Sequence, residues 1–249
     1  MKKQLLYWLI GGSLLTGCSA DTAKDSVSPG TGTGTGGSMA RFTITGNHLY
    51  VVNNSSLVVY DIAQLNAPVN VNKISLNPGV ETIFPFGNHL LIGTQQGMYI
   101  YNLNDPAKPT MTSRYDHIVS CDPVVAQGNY AYVTLRSGTN CRNGLNSLDV
   151  VDISNMAAPR LVKSYPMSNP HGLGIEGNLL FVTEGDFGLK VFDAVNPLDL
   201  KLMETFKDIR SFDVIPINKV LIVTGKDGIY QYSYSDPAKL KLLSKMPVE

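Results

Sequence analysis

The sequence contains few of the residues from which catalytic and metal sites are commonly built. Its 249 residues include only three Cys and four His. No Cys-x-x-Cys or His-x-x-x-His metal spacing is present, and neither a Gly-x-Ser-x-Gly nucleophile elbow nor a Gly-Lys-Ser/Thr phosphate loop occurs. We therefore predict no catalytic residues, no metal ligands and no cofactor.

An excess of positive charge is also missing. Twenty Lys and Arg balance twenty Asp and Glu, and charged residues make up 16% of the chain. Removal of a leader that carries Lys2 and Lys3 leaves the rest slightly acidic, and such a surface lacks the basic excess that phosphate backbones require. Nucleic acid is therefore not an expected partner.

Long uninterrupted stretches of helix-forming residues are absent as well. Fourteen Pro and twenty-three Gly are spread along a chain that is 43% hydrophobic. This composition favours short strands separated by turns, and the length allows one large all-β domain with a sizeable core.

Residues 1–17 have the features of a lipoprotein signal peptide. Lys2 and Lys3 precede an apolar run that is too short to span a bilayer. Leu15-Thr16-Gly17-Cys18 resembles the lipobox of bacterial lipoproteins, which implies cleavage before Cys18 and attachment of acyl chains to that residue. An ordinary secretory signal with a coincidental Cys and an uncleaved anchor are the alternatives.

Residues 18–38 comprise the lipidated Cys18 and a linker rich in Gly, Thr and Ser. Gly32, Gly34 and Gly37 fit the Gly-x-Gly-x-x-Gly pattern, but the run neither follows a strand nor opens a helix, so a linker is favoured over a phosphate site. The expected location is the cell envelope, where lipid on Cys18 contacts the membrane. Ser19 is compatible with sorting to the outer membrane.

The remainder, residues 39–249, consists of five tandem repeats. A Gly-Asn pair followed by an apolar run occurs four times, and a fifth copy contains Ile217-Asn218. The Asn residues are separated by intervals of 41, 41, 49 and 40, at Asn47, Asn88, Asn129, Asn178 and Asn218. A second apolar run keeps the same register and ends at Asp61, Asn102, Asp152, Asp193 and Ser233. Two anchors in register define the repeat.

Each repeat has the pattern of four short strands. The Gly-Asn pair supplies the positive φ of a tight hairpin, and a Pro-punctuated loop leads into the fourth strand. Four antiparallel strands make one propeller blade, and radially arranged blades bury faces that a single blade leaves exposed. We predict an all-β, five-bladed β-propeller with four antiparallel strands per blade. An open or sandwich-like β array is the alternative.

The repeat is similar to that of a known family. Leu148-Asp149-Val150-Val151-Asp152-Ile153-Ser154, followed by Ala158-Pro159-Arg160-Leu161-Val162, resembles the LVIVD repeat of bacterial surface proteins. The resemblance covers residues 39–249 and is weakest in the last copy, where Ser233 replaces the Asp. It implies a β-propeller at the cell envelope, in a family whose members mostly lack an assigned activity.

Stacking the repeats places polar residues at one mouth of the predicted channel. Seven residues before each repeat Asn stand Ala40, Glu81, Asp122, His171 and Ser211, flanked by Arg41, Arg210 and Asp213. Because the first strands of the blades line the channel, Glu81, Asp122 and His171 are predicted to face a common axis. They form a candidate site for a cation or a small polar ligand, whereas a water-filled channel would also favour polar residues there.

Two classes of function remain open at this point. The first is a non-catalytic propeller that binds or scaffolds an envelope protein or a glycan, and the short, tight loops favour it. The second is a hydrolase or lyase with a polar site at the channel mouth. A His within hydrogen-bond reach of carboxylates in a cleft would favour the enzyme, and a plugged, apolar channel would remove it.

The third repeat is eight residues longer than its neighbours, and the excess lies between its second and third strands and contains Cys141. If Cys18 carries lipid, only Cys121 and Cys141 remain, and we predict a disulfide between them. Two free thiols and a metal pair are the alternatives. The closed loop of about twenty residues should stabilise the fold by roughly 3 kcal/mol. Equal gel mobility with and without reductant, together with two titratable thiols, would contradict the bridge.

Overall fold

The computed structural model describes residues 36–116, 123–138 and 146–248. These residues form five four-stranded sheets and one short 3₁₀ helix, Pro197–Asp199. Within the described ranges, helices long and apolar enough to cross a bilayer are absent. The predictions for Cys18, Cys121, Asp122 and Cys141 lie outside the described residues.

In every sheet the strands pair antiparallel in chain order, so each sheet is one propeller blade. Blade 1 contains β1 (Phe42–Thr45), β2 (His48–Asn53), β3 (Ser56–Asp61) and β4 (Val69–Ser75). Blade 2 contains β5 (Val80–Phe86), β6 (His89–Thr94), β7 (Gly97–Asn102) and β8 (Thr110–Asp116). Blade 3 contains β9 (Val124–Gln127), β10 (Tyr130–Leu135), β11 (Ser147–Asp152) and β12 (Arg160–Pro166).

Blade 4 contains β13 (Leu173–Glu176), β14 (Leu179–Thr183), β15 (Leu189–Asp193) and β16 (Lys201–Phe206). Blade 5 contains β17 (Ser211–Ile217), β18 (Val220–Gly225), β19 (Gly228–Ser233) and β20 (Lys241–Pro247). The first strands of consecutive blades contact one another from β1 to β17, which places them around the central channel. The prediction of a five-bladed β-propeller with four antiparallel strands per blade is confirmed.

The hairpin that joins the first two strands of each blade uses a two-residue turn. Gly46, Gly87, Gly128 and Gly177 take φ values between 54° and 60° at the first turn position. In blade 5 the same two positions are held by Asn218 (φ 50°) and Lys219 (φ 64°), the positive-φ pair of a type I′ turn. Asn218 is therefore equivalent to the turn Gly of the other blades rather than to their Asn.

This changes the register of the last repeat by one residue. The turn positions 177 and 218 are 41 residues apart, so the alignment that equates Asn218 with Asn178, 40 residues earlier, is wrong by one residue. The blade 5 residue equivalent to Glu81 and His171 is consequently Phe212, and not Ser211 as the Asn spacing indicates.

The polar residue that ends the third strand of each blade caps the loop that follows. The Asp152 carboxylate accepts a hydrogen bond from the Ser154 backbone N–H at 2.9 Å, and Asp193 accepts one from Val195 at 2.9 Å. Asp61 does the same for Ala63 at 2.8 Å. The recurring Asp of the repeat therefore stabilises a turn in each of these blades and does not face the channel.

Four apolar clusters hold consecutive blades together. One cluster lies between blades 1 and 2, and others join blades 2 and 3, blades 3 and 4, and blades 4 and 5. Within the described part of the chain, a cluster that joins blade 5 to blade 1 is absent. The core is therefore divided into four layers between five blades.

The channel is occupied by the segment that precedes blade 1. Residues 36–38, which the composition assigns to the linker, lie among the first strands, where Gly37 and Ser38 are buried. The Ser38 hydroxyl donates to Asp213 Oδ1 of β17 at 3.0 Å and accepts from the Leu173 N–H of β13 at 2.8 Å. The Ala40 carbonyl accepts from the Ile83 N–H of β5 at 2.9 Å. The segment therefore ties blades 2, 4 and 5 together across the axis.

Asp213 fits this arrangement only because two glycines flank it. A Cβ on Gly37 would lie 2.2 Å from Asp213 Oδ2, and one on Gly172 would lie 2.1 Å from Oδ1. Burial raises the pKa of Asp213 to about 6, although hydrogen bonds from Ser38 and from the Val214 and Met39 backbone oppose the shift. The folded protein therefore holds a proton on this carboxyl more tightly than the unfolded chain does.

Asp213→Asn should remove the destabilisation that the buried, charged carboxylate causes at neutral pH. Because the folded pKa is raised, protonation of Asp213 stabilises the fold fully below about pH 4, and this contribution is lost as the pH rises through 6. The Asn side chain stays neutral and keeps an acceptor for Ser38. Its stability relative to wild type should therefore rise by roughly 1–3 kcal/mol between about pH 4 and pH 7.

Urea unfolding followed by circular dichroism at both pH values measures this difference. Asp193→Asn, the same chemical change at the end of β15 and away from the channel, is the matched control. Parallel stability curves for wild type and Asp213→Asn across this pH range would contradict the prediction.

Candidate ligand site at the channel mouth

The start of each first strand forms a ring at one mouth of the channel. In blades 2 and 5 this strand carries a bulge, at Glu81 between Val80 and Thr82 and at Phe212 between Ser211 and Asp213. The His171 ring packs edge-on against the Phe212 ring, with centroids 5.3 Å apart. This contact confirms from side-chain geometry that Phe212 occupies the blade 5 position of the ring.

Three of the predicted ring residues line one cavity. Arg41, Glu81 and His171 surround a space of about 110 Å³ together with Arg136 and with Met39, Thr82 and Pro123. The cavity is therefore built by blades 1 to 4, and Met39 of the channel segment contributes to its lining. Arg41 is exposed, whereas Glu81, Arg136 and His171 are half-buried.

His171 lies two residues before β13, where its backbone is hydrogen-bonded and its ring is held neutral. Its N–H donates to the Thr183 carbonyl at 2.7 Å, and its carbonyl accepts from the Thr134 hydroxyl at 2.6 Å. Burial lowers the pKa of His171 to about 4, with a further lowering by Arg136 that Asp186 and Glu184 oppose. At neutral pH the ring is uncharged and lies 3.2 Å from the Asn169 side-chain nitrogen.

The carboxylates near the mouth have partners other than His171. Glu81 Oε1 accepts from Gln95 Nε2 at 3.0 Å. Glu184 is fully buried, its Oε1 accepts from the Ser168 N–H at 2.6 Å, and its Oε2 lies 2.7 Å from Lys190 Nζ. Among the described residues, hydrogen bonds between His171 and a carboxylate are absent. Across the residues that the structure describes, the cavity is polar, and a preassembled acid–base pair of His171 with a carboxylate is absent.

Two other predicted site residues, Arg210 and Asp213, do not line the cavity. Arg210 lies on the exposed rim, with its Nε 3.8 Å from Asp186 Oδ1. Asp213 lies inside the channel and binds Ser38 instead of facing the mouth. Over the residues that the structure describes, groups of three or more His, Cys, Asp or Glu side chains that could hold a metal ion are absent.

Sequence reasoning missed Arg136 and Gln95, which both lie at the mouth. Each residue directly follows the second strand of its blade, at the same distance from the hairpin turn. Stacking the repeats on this second position would have identified both residues. Phe212 was missed because the Asn alignment shifts the last repeat by one residue.

The comparison with protein families identifies the repeat. The model of the LVIVD repeat matches residues 36–74 and 120–166, which correspond to blade 1 and blade 3. A search among curated protein sequences finds no match.

Solved structures with the same fold are distant in sequence. A functionally unknown protein from Desulfotomaculum acetoxidans superposes with a TM-score of 0.66 at 13% identity, over 82% of this chain and 67% of that protein. A protein from Lactobacillus plantarum superposes with a TM-score of 0.63 at 17% identity, over 80% of this chain and 67% of that protein. The periplasmic gluconolactonase PpgL of Pseudomonas aeruginosa superposes with a TM-score of 0.64 at 16% identity, over 82% of this chain and 68% of that protein.

These likenesses show a shared fold, and the chain spans about two thirds of the length of each of these proteins. The LVIVD matches fall on two blades, and the same strand order recurs in all five. The chain is an LVIVD-repeat β-propeller protein.

Proposed function

We propose that this propeller is a non-catalytic binding domain of the cell envelope, anchored through lipid on Cys18, and that it binds an envelope protein or a glycan. The observation that carries the proposal is the closure of the channel by the chain's own residues 36–39. With the segment in place, the mouth of the channel offers a cavity of about 110 Å³.

The size of the mouth cavity supports this view. Its volume of about 110 Å³ is well below the roughly 300–1,000 Å³ typical of small-molecule sites. A neutral His171 that contacts Asn169 and Phe212 is suited to a hydrogen-bonding surface rather than to proton transfer. Exposed Arg41 and Arg210 at the rim offer charged contacts to a macromolecular partner.

A hydrolase of small carbohydrate-derived substrates is the second candidate. One observation favours it: Glu81 and His171 line the same cavity, in a fold shared with a periplasmic gluconolactonase. This candidate requires the cavity to enlarge before a sugar lactone can enter.

The anchor is tested by changing its attachment residue. Cys18→Ala should abolish incorporation of a clickable palmitate analogue and should move the propeller out of the membrane fraction. The anchor would be contradicted if the wild type incorporates no lipid and Cys18→Ala stays in the membrane fraction.

The binding function is tested by site-specific photo-crosslinking of the full chain in its native membrane. A photoreactive residue at position 41 should capture one envelope protein or glycan reproducibly. The same residue at position 111, which is exposed on the outer strand of blade 2, should not. Equal capture at both positions, or none at position 41, would contradict a binding site at the mouth.

The hydrolase candidate is tested by measuring lactone hydrolysis. Wild type and His171→Gln are compared for hydrolysis of glucono-δ-lactone against the spontaneous rate. We expect no acceleration by either protein. Acceleration by wild type that falls at least about tenfold in His171→Gln would replace the binding function with a hydrolase.

A further inference from the structure

The wall of the mouth cavity has more positive than negative side chains. Arg41 and Arg136 lie in it together with one carboxylate, Glu81, and with His171, whose ring is uncharged at neutral pH. The other lining residues are uncharged. Two guanidinium groups and one carboxylate leave an excess of one positive charge, which suits the cavity to a monoanion.

The same wall is rich in N–H donors. Arg41 is exposed, and within the described ranges its guanidinium has no hydrogen-bond or ion-pair partner. Arg136 interacts with another group, but a guanidinium has five N–H donors and can bind a second one. His171 Nε2 lies 3.2 Å from Asn169 Nδ2, which can only donate, so the neutral ring carries its proton on Nδ1. Three side chains of the wall therefore supply donors to an anion.

The size of the cavity selects among anions. Its volume of about 110 Å³ is the space that between three and four water molecules fill in the liquid, at roughly 30 Å³ each. A carboxylate with the carbon that bears it has four non-hydrogen atoms and matches this space. Its planar shape also fits the fork of a guanidinium, which donates two parallel N–H bonds. A phosphate monoester has a larger, tetrahedral head, and its charge of about −2 exceeds the single positive charge of the wall.

The side chains next to the cavity are suited to hydroxyl groups and to a ring. Glu81 Oε1 accepts from Gln95 Nε2, and Asn169 lies beside His171, so carboxylate and amide groups that donate and accept occur at two sides of the mouth. The Phe212 ring contacts the His171 ring and is 38% exposed. An exposed aromatic ring offers a flat apolar surface on which the C–H face of a sugar can pack.

We propose that the mouth cavity binds the carboxylate of an acidic sugar, a uronic acid residue of an envelope glycan. This inference rests on the proposed binding function and names its ligand. The carboxylate contacts Arg41 and Arg136 inside the cavity. The sugar ring stays outside, next to Phe212, because the volume admits only the carboxylate and its neighbouring carbon. Glu81 accepts a hydrogen bond from a sugar hydroxyl.

An NMR titration of the full chain in detergent solution with D-glucuronate tests the proposal. Glucuronate should shift the ring signals of His171, which are identified by their absence from His171→Gln. D-glucose, which differs from it by the carboxylate at C6, should bind at least about tenfold more weakly, because it cannot accept a charge-assisted hydrogen bond. Equal binding of the two sugars, or no binding of glucuronate, would overturn the proposal.

Substitution of the arginines tests where the carboxylate binds. Arg41→Gln and Arg136→Gln should each raise the dissociation constant of glucuronate at least about tenfold. Arg210→Gln is the matched control, because Arg210 lies on the rim and does not line the cavity. The exposed Arg41 can be replaced without disturbing the core, and circular dichroism verifies that each variant is folded. Equal weakening by Arg210→Gln, or unchanged binding by Arg41→Gln, would overturn the assignment.

The source of the carboxylate is tested with two further probes. N-acetyl-L-alanine, which has the carboxylate of a protein C-terminus, and inorganic phosphate should both bind more weakly than glucuronate. Tighter binding of N-acetyl-L-alanine would replace the sugar with a protein terminus, and tighter binding of phosphate would replace the carboxylate.

Competition separates this proposal from the binding function on which it rests. A photoreactive residue at position 210 leaves both arginines of the cavity in place, and its crosslink in the native membrane should disappear in excess glucuronate. A crosslink that persists in excess glucuronate would overturn the acidic sugar and leave the binding function intact. Absence of both the crosslink and glucuronate binding would overturn both.

Discussion

The burial of blade faces against one another is the interaction on which this structure depends. A single four-stranded blade has two apolar faces, and it buries both only when it lies between two other blades. Four such junctions are filled by side chains from equivalent positions of consecutive repeats. The 41-residue period is therefore a packing constraint, since a one-residue slip would turn the buried side chains of a strand towards the opposite face.

The same constraint explains the residues that interrupt the apolar pattern. The Asp at the end of the third strand caps a loop, and the turn Gly takes a positive φ. Neither position contributes to a ligand site, although both recur in the repeat. Polar and titratable residues instead lie at the start of the first strands, where Glu81 and His171 are half-buried at the mouth of the channel. Glu81 and His171 can be polar because their side chains do not belong to the apolar clusters that join the blades.

The central channel is closed by a part of the chain that has no repeat pattern. Gly37 and Ser38 enter the space between the first strands, and Asp213 is held between two glycines. The buried carboxyl is a destabilising element at neutral pH, and the hydrogen bonds from Ser38 and Met39 offset part of that cost. The segment thus fills part of the channel, and its Met39 contributes to the lining of the mouth cavity.

Much of the architecture was accessible from periodicity. The number of blades, the four strands of each and the position of the long insertion between β10 and β11 all follow from two repeated anchors. The site was accessible in part, since Arg41, Glu81 and His171 do line one cavity. Arg210 and Asp213 were expected beside them, and the structure places Arg210 on the rim and Asp213 inside the channel.

The sequence by itself determined the features that depend on local spacing: strand order, turns, loop caps and the approximate ring at the mouth. Only the tertiary structure decided which residues fill the channel, because the Ser38 hydroxyl meets partners 135 and 175 positions away. It also decided that Phe42 is exposed, since this depends on how blades from opposite ends of the chain are placed in space, whereas the place of Phe212 follows from the local turn at Asn218 and Lys219. Contacts over such separations leave no periodic signal in a repeat, and packing around the axis alone sets them.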